Sequence, residues 1–239
     1  MLKSLTQISI EYAHGLTERC CRLIGEPIIR GPGDRCSIAL TFDDGPSLGT
    51  LPLLDLLSSF DVRATFFQCG MNVLRHPEIA HAVLEAGHEI GNHTYSHARL
   101  APRPSWNPNL RSPRFVLKEF SDAQEVLRAE LGISPRLMRV PYGIQWFGTS
   151  AACKRLGLLD ILWTVIGHDW EWPVERVTER VLSHASWGAI VCLHDGRETR
   201  PLPDIETTLC AVRQIVPALL DRGYVFETVS ELLEPDLGR

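Results

Sequence analysis

Residues 38–46 read Ile-Ala-Leu-Thr-Phe-Asp-Asp-Gly-Pro, an apolar run that stops abruptly at two acids, a glycine and a proline. This pattern predicts a buried strand that ends in a sharp turn. Side chains alternate between the faces of a strand, so the carboxylates of Asp43 and Asp44 are expected to point in different directions. One could bind a metal ion while its neighbour takes a proton. The alternative is a surface turn with two solvated acids, since Asp and Gly favour turns.

Strand-like and helix-like patterns alternate through the rest of the chain. Strands are predicted at 62–69, 88–93, 137–140, 159–165, 189–193 and 224–229. Helices are predicted at 77–86, 114–131, 149–156, 174–184 and 205–222, and another begins at Thr50 as its N-cap. This alternation predicts a parallel sheet with helices outside it, either open or closed into a barrel.

The polar clusters fall where these strands end. In parallel α/β folds, functional residues gather at the carboxyl ends of the strands. Six residues lie at such ends: Asp43, Asp44, His93, Arg139, Asp169 and His194. The sequence therefore predicts one functional site at this end of the sheet.

Composition limits the class of function. The chain has 239 residues, 44% of them hydrophobic, which fits one large α/β domain. A net charge of −5 and a pI of about 6.0 give no basic surface for nucleic acid. Seven cysteines without a CxxC pair fit a reducing compartment. No transmembrane segment or signal peptide is evident, so a cytoplasmic location is expected, and the oligomeric state is left open.

His93 and His97 are four residues apart, a spacing that places both imidazoles on one face of a helical turn. With one carboxylate from a strand end they form a two-His, one-Asp set. Such a set suits Zn²⁺ or another divalent ion and leaves positions open for water and substrate. The competing interpretation is two histidines that hydrogen-bond a turn.

Hydrolysis of an amide or ester also needs a base for the water and an acid for the leaving group. Asp43 suits the base because it adjoins the candidate ligand Asp44. His194 suits the acid because an imidazole can be cationic near neutral pH. A covalent nucleophile is disfavoured, since no Gly-x-Ser-x-Gly elbow is expected and no cysteine has a convincing histidine partner. Cys192, beside His194, is interpreted as a core residue.

Five short motifs occur in order along the chain: Thr41-Phe42-Asp43-Asp44-Gly45-Pro46, His93-Thr94-Tyr95-Ser96-His97, Arg139-Val140-Pro141-Tyr142-Gly143, Asp169-Trp170 and Leu193-His194. Together they resemble the motifs of the polysaccharide deacetylases, the NodB-homology or carbohydrate esterase 4 family. The resemblance implies a distorted (β/α)7 barrel as a single catalytic domain over residues 37–233. Residues 1–36 are then an N-terminal extension, with an amphipathic helix near 5–16, and 234–239 are a C-terminal tail.

The resemblance implies a metal and a base. Asp44, His93 and His97 would hold a divalent ion, with Zn²⁺ favoured and Co²⁺ or Ni²⁺ as alternatives. Asp43 would be the general base, and Arg139 would pair with it and orient it; the alternative for Arg139 is an ordinary surface ion pair.

The resemblance also implies an acid and a substrate pocket. His194 would be the general acid, with Asp169 as its charge partner. Four further residues would contact the substrate: Pro141, Tyr142, Trp170 and Leu193. The backbone N–H of Tyr142 would help to bind the oxyanion, and Trp170 and Leu193 would form the wall of the acetyl pocket. Other candidates for stacking on sugar rings, or for ordinary packing, are Tyr95, Trp106, Trp146 and Trp172.

The predicted function is metal-dependent N-deacetylation of N-acetylglucosamine-type units, with an N-acetylated glycan such as a chitin oligomer or peptidoglycan as partner. One alternative is a hydrolase of a small amide, a cyclic amide or a non-sugar acetyl group on the same fold. Another is a carbohydrate-binding protein without turnover. The Pro- and Arg-rich stretch 101–114 is predicted to be a surface loop that either selects substrate or covers the barrel edge.

Overall fold

The computed structural model describes residues 26–101 and 112–233. Its strands are β1 (Ser37–Asp43), β2 (Thr65–Gln68), β3 (Glu89–Asn92), β4 (Leu137–Met138), β5 (Leu159–Asp160), β6 (Val165–Ile166), β7 (Ala189–His194) and β8 (Val225–Phe226). Its helices are α1 (Thr50–Ser59), α2 (Gly70–Arg75), α3 (Pro77–Glu85), α4 (Pro113–Leu131), α5 (Thr149–Leu156), α6 (Val174–His184), α7 (Glu206–Asp221) and α8 (Val229–Leu233). A 3₁₀ turn spans Pro141–Gly143.

The described strands form one parallel sheet in the order β5-β4-β3-β2-β1-β7-β6, and β8 pairs with the first residues of β1. Seven strands follow the path of a barrel, and no strand pairing joins β5 to β6 within the described residues. The predicted α/β class and distorted (β/α)7 barrel are confirmed, in a form that stays open between these two strands. None of the helices in the described ranges has the length and apolarity of a membrane span.

Part of the predicted N-terminal extension lies beside the opening of the barrel. The Ile28 N–H donates to the Asp160 carbonyl, and the Leu162 N–H donates to the Ile28 carbonyl, both at 2.8 Å. Arg30 forms an antiparallel bridge with Ala189 at the start of β7. Residues 28–30 therefore connect the two sides of the opening. The predicted helix near 5–16 and the tail 234–239 lie outside the described residues.

Strand β1 is the centre of the sheet and is buried along its whole length. Ile38, Leu40 and Phe42 pack in the main hydrophobic core. Ala39, Thr41 and Asp43 alternate with them and face the barrel interior, as the two-residue period of a strand requires. Full burial of a side chain such as Phe42 stabilises the fold by roughly 1.5–3 kcal/mol. The apolar positions of β1 thus fix its register and bring Asp43 to the interior.

The predicted strand 159–165 is wrong as a single element. It is two short strands, β5 and β6, which pair at opposite edges of the sheet with β4 and β7. Between them, Leu162 and Thr164 bond to the N-terminal segment, and the Thr164 hydroxyl donates to the Ile29 carbonyl at 2.7 Å. A continuous apolar pattern does not show where a strand changes its partner.

Three local predictions also need correction. Thr50 does not cap α1: its hydroxyl accepts from the Ser47 N–H and donates to Asp195 Oδ2, at 2.9 and 2.6 Å. The predicted strand 224–229 ends at Phe226, because Val229 begins α8. The predicted loop 101–114 is shorter, since α4 starts at Pro113, and residues 102–111, with Trp106, lie outside the described ranges.

Candidate metal centre and active site

The three residues predicted to bind a metal meet at the carboxyl ends of β1 and β3. The Asp44 Oδ1 atom lies 3.3 Å from His93 Nε2 and 3.0 Å from His97 Nε2. All three side chains are buried, and their donor atoms lie within 4.8 Å of one another. Asp44, His93 and His97, called the metal group below, are therefore a possible metal-binding set.

The unpaired atoms of the metal group fit a metal ion. Asp44 Oδ1 is buried and has no hydrogen-bond partner among the described residues. The His93 Nδ1 atom lies 2.8 Å from the Arg139 carbonyl; donation of its proton there leaves Nε2 free to coordinate. Ligands about 2.0–2.2 Å from a tetrahedral Zn²⁺ lie roughly 3.3–3.6 Å apart. The observed separations are close to that spacing.

The electrostatics also favour a charged ligand. Burial alone would raise the pKa of Asp44, but the neighbouring imidazoles of His97 and His93 outweigh it and hold this pKa well below its usual range. Burial lowers the pKa of His97, yet the Asp44 carboxylate dominates and the net direction is upward. Asp44 is therefore anionic at neutral pH, as a carboxylate ligand must be.

The metal group is assembled on strained backbone, and not on the predicted helical turn. His93 to His97 contain no helix. Asp44, Thr94 and His97 have positive φ angles of 75°, 67° and 55°. Such conformations are costly for residues other than glycine and often mark functional sites. The prediction that both histidines share a helix face was wrong, although their side chains do converge.

Side-chain contacts hold the segment between the two histidines in place. The Thr94 N–H donates to Asn92 Oδ1 at 2.8 Å. Glu119 on α4 accepts from the Ser96 N–H at 2.9 Å, and its carbonyl accepts from the Tyr95 N–H at 3.0 Å. These bonds satisfy backbone groups that a helix would otherwise pair.

Asp43 lies beside the metal group in a second buried cluster. Its Oδ1 atom accepts from Arg139 Nη1 at 2.6 Å. Its Oδ2 atom accepts from the Cys192 thiol at 3.4 Å and lies 3.9 Å from His93 Nε2. The pair predicted from the motifs, Asp43 with Arg139, is thus present. Cys192 is buried as expected, but it also contacts the candidate base.

Arg139 has no exposed surface and is satisfied on every side. Besides Asp43, it donates to the Thr41 hydroxyl at 2.7 Å and to the carbonyls of Ile161 and Leu162 at 3.1 Å. Its guanidinium lies 4.0 Å from the ring centroid of Phe67. A buried arginine of this kind is tolerated because each of its three side-chain nitrogens has a hydrogen-bond partner. The alternative of a surface ion pair is excluded.

Asp169 and His194 form a third pair at the same end of the sheet. His194 Nδ1 lies 2.8 Å from Asp169 Oδ1, and the His194 backbone N–H donates to Asp169 Oδ2 at 3.0 Å. The hydroxyl of Thr208 on α7 donates to the same Oδ2 atom at 2.5 Å. These contacts orient the carboxylate, and the Nδ1 contact leaves His194 Nε2 available for chemistry.

The charge around His194 favours its protonated form. Burial lowers its pKa, but Asp169, with smaller contributions from Asp44 and Asp43, raises it overall to about 9. A divalent cation bound at Asp44 would lower this value by repulsion. Without such an ion, His194 carries a positive charge at neutral pH, as a proton donor requires.

The four residues predicted to contact the substrate differ in exposure: two are exposed and two are buried. Trp170 is 45% exposed, and its ring meets His194 edge-on at 4.8 Å between centroids. Tyr142 is 47% exposed, has a φ of 61°, and lies 4.8 Å from the His97 ring. Pro141 is buried at the start of the 3₁₀ turn, and Leu193 is fully buried in the main core. Contact of Leu193 with substrate stays a prediction.

Two of the candidates for sugar stacking are partly buried against core residues. Trp146 packs against the smaller core under α4 and α5, and Trp172 packs against the main core. Tyr95 is half-buried, and its ring lies against Gly70 at the start of α2.

A serine in a nucleophile-like pattern has a structural role. Gly45-Pro46-Ser47-Leu48-Gly49 matches the Gly-x-Ser-x-Gly elbow of some hydrolases. Ser47 is buried; its hydroxyl donates to the Asp195 carbonyl at 2.5 Å and accepts from the Gly49 N–H at 3.1 Å. No histidine is among its described partners. The expectation that the sequence lacks such a pattern was therefore wrong, but these contacts show that Ser47 holds a turn, and the interpretation against a covalent nucleophile is kept.

The fold and these three clusters define a class of protein: a parallel α/β barrel with acid–base residues and a possible metal group at the carboxyl ends of its strands. Residues 30–159 match the polysaccharide deacetylase family. The chain is also 37% identical over 206 residues to a peptidoglycan-N-acetylglucosamine deacetylase of Bacillus cereus, covering 84% of this chain and 90% of that protein. It belongs to the polysaccharide deacetylase family.

Other relatives extend the comparison. A chitooligosaccharide deacetylase of Bradyrhizobium is 36% identical over 205 residues, covering 82% of this chain and 90% of that protein. The peptidoglycan-N-acetylglucosamine deacetylase PgdA of Listeria monocytogenes is 34% identical over 197 residues, and the match spans only 38% of its length. Among solved structures, the Bc1960 peptidoglycan N-acetylglucosamine deacetylase superimposes with a TM-score of 0.78 and 28% identity, covering 90% of this chain and 96% of that chain.

Proposed function

We propose that the protein is a metal-dependent N-deacetylase that hydrolyses the acetamide of N-acetylglucosamine-type units in an oligosaccharide or polysaccharide. The observation that carries the proposal is the convergence of the metal group, the Asp43–Arg139 pair and the Asp169–His194 pair at one end of the sheet. The relatives named as peptidoglycan and chitooligosaccharide deacetylases support this substrate class.

We assign Zn²⁺ to the metal group, because two imidazoles and one carboxylate are a usual set for it; Co²⁺ or Ni²⁺ would also suit these donors. When bound, the ion acidifies water and polarises the acetamide carbonyl. The protein itself orients two of the three proposed ligands: the strained turn after β1 orients Asp44, and the Arg139 carbonyl orients His93.

Asp43 accepts the proton of the attacking water. Arg139 holds Oδ1, so the proton goes to Oδ2, which is the oxygen nearer the metal group. The Cys192 thiol shares that oxygen, and burial with the nearby negative charge of Asp43 raises its pKa well above the ordinary value. It therefore stays a neutral thiol and does not compete as a base.

His194 donates a proton from Nε2 to the leaving amine while Asp169 steadies the imidazolium through Nδ1. Tyr142, next to Pro141, is assigned to the developing oxyanion through its backbone N–H. The exposed ring of Trp170 against His194 forms one wall of the acetyl pocket. These roles account for the residues that converge on the site and require no covalent intermediate.

Acetate release tests the proposal. Zn²⁺-loaded protein should release acetate from chitin oligomers or from peptidoglycan fragments, and protein freed of metal should not. Asp43→Asn serves as the matched control, since it leaves the metal group intact. Full turnover by protein shown to be metal-free by elemental analysis would overturn the metal-dependent mechanism. Binding of glycans without acetate release would favour a carbohydrate-binding protein, and turnover of small amides alone would favour the other hydrolase.

A further inference from the structure

Glu198, in the loop that follows β7, contacts both sides of the site. Its backbone N–H donates to Asp44 Oδ2 at 2.7 Å. Its Oε1 atom accepts a hydrogen bond from the Tyr142 hydroxyl at 2.8 Å. One residue therefore bonds to a member of the metal group and to the residue assigned to the oxyanion.

The backbone around Glu198 is tied firmly to Asp44. The side-chain amide of Asn72 on α2 donates to the Asp44 carbonyl at 2.6 Å and to the Glu198 carbonyl at 2.8 Å. Arg75 fixes the orientation of that amide by donating to Asn72 Oδ1 at 2.7 Å. Asn72 thus acts as a bridge between the two backbones.

Two further observations show how closely the loop is held. Glu198 has a positive φ of 54°, which a glutamate adopts only where its surroundings impose it. At Gly196, a Cβ atom would lie only 2.4 Å from the Asp44 carbonyl oxygen, so the loop needs glycine to approach this closely. The conformation of the loop and that of Asp44 are therefore interdependent.

We propose that Glu198 is a positioning residue that couples the orientation of Asp44 to that of Tyr142; this inference rests on the function proposed above. Its N–H occupies Asp44 Oδ2 and leaves Oδ1, the buried oxygen without a partner, for the ion. Its carboxylate holds the Tyr142 hydroxyl, and the Tyr142 ring lies against His97, another member of the metal group. Partners that orient ligands in this way often change metal affinity or activity by about 10–100-fold.

A double-mutant cycle on Zn²⁺ affinity tests the coupling without an activity assay. Tyr142→Phe keeps the ring against His97 and removes only the hydroxyl. We expect it to weaken Zn²⁺ binding by about 3–10-fold, measured by competition with a chelator. Glu198→Ala should have a similar effect, and the double variant should be no weaker than either single one. Glu198→Gln should stay near the wild-type affinity, because its amide oxygen still accepts from the Tyr142 hydroxyl.

Glu198→Gly is the folding control, since glycine adopts the positive φ without strain. It should match Glu198→Ala in Zn²⁺ affinity and replaces it if the alanine variant does not fold. In acetate release, the alanine and glycine variants should lower kcat more than they raise KM, and Glu198→Gln should restore kcat.

The outcomes separate the two proposals. If Tyr142→Phe leaves Zn²⁺ affinity unchanged, or if the two single effects multiply in the double variant, the role of Glu198 is overturned. If the cycle shows coupling but the wild-type protein releases no acetate from any N-acetylated glycan, the deacetylase proposal fails and the coupling stands.

Discussion

Replacing Arg139 with methionine tests whether the buried pair with Asp43 is an integral part of the fold. Arg139 has no exposed surface, and Asp43 is only 3% exposed. Removal of one partner from a buried ion pair costs about 3–5 kcal/mol, because the other charge stays buried without compensation. For a chain of this size, each kcal/mol lowers the melting temperature by about 2–4 °C. Arg139→Met should therefore melt about 6–20 °C below the wild type.

Circular dichroism melts at pH 7 measure this shift. Asp43→Asn in the same protein removes the uncompensated charge, so the double variant Arg139→Met/Asp43→Asn should melt above Arg139→Met alone. The carbonyls of Ile161 and Leu162 lose Arg139 as a donor in both Arg139→Met and the double variant. The two variants are therefore matched for that loss. This account would be refuted if Arg139→Met melted within 2 °C of the wild type. It would also be refuted if the melting temperature of the double variant fell below that of the wild type by the sum of the two single-variant shifts.

Three further predictions concern the reaction. His97→Ala should lose most of its affinity for Zn²⁺, because a set of three ligands has no spare member; elemental analysis of the dialysed protein measures this, and unchanged metal content would contradict it. Asp43→Asn should keep its metal while turnover falls about 10²–10⁴-fold, whereas Asp44→Asn should lose metal first; the opposite pattern would reverse the two roles. Burial lowers the pKa of His194, but Asp169 outweighs it and raises this pKa to about 9 in the protein without metal; a bound divalent ion would lower it by repulsion, so in the Zn²⁺-loaded protein the activity that needs the imidazolium should be lost as pH rises through a pKa below about 9. Asp169→Asn should move this basic limb of the kcat/KM profile to lower pH, and an unmoved limb would exclude His194 as the acid.

Much of the fold could be predicted because the hydrophobic pattern and the residues that typically end helices and strands indicated the same elements. Helices α5 and α6 begin and end where predicted, at Thr149–Leu156 and Val174–His184. Gly132 ends α4 in the left-handed conformation with a φ of 70°, as its position after the last apolar turn suggested. The convergence of the motifs was also predictable, because the carboxyl ends of parallel strands lie at one edge of the sheet.

The rest depends on contacts between distant residues. Glu198 bonds to Asp44 across 154 positions of the chain, and no local pattern distinguishes it from a surface glutamate. Asn92 and Glu119, which accept from the backbone N–H groups of Thr94 and Ser96, hold the segment between the two histidines outside a helix, and the spacing of the histidines alone does not show this. The cytoplasmic location and the role of the loop with Trp106 in substrate choice stay predictions.

The different roles proposed for Asp43 and Asp44 come from backbone geometry, since the two side chains are chemically identical. Asp43 is the last residue of β1 and keeps strand geometry, so it joins Thr41 on the interior face and meets Arg139. Asp44, with a φ of 75°, leaves the strand and turns its carboxylate towards the two histidines. Because the register of β1 is fixed by Ile38, Leu40 and Phe42 in the core, a slip of one residue would turn those apolar side chains away from it. The hydrophobic core therefore determines which of the two acids meets the arginine and which meets the histidines.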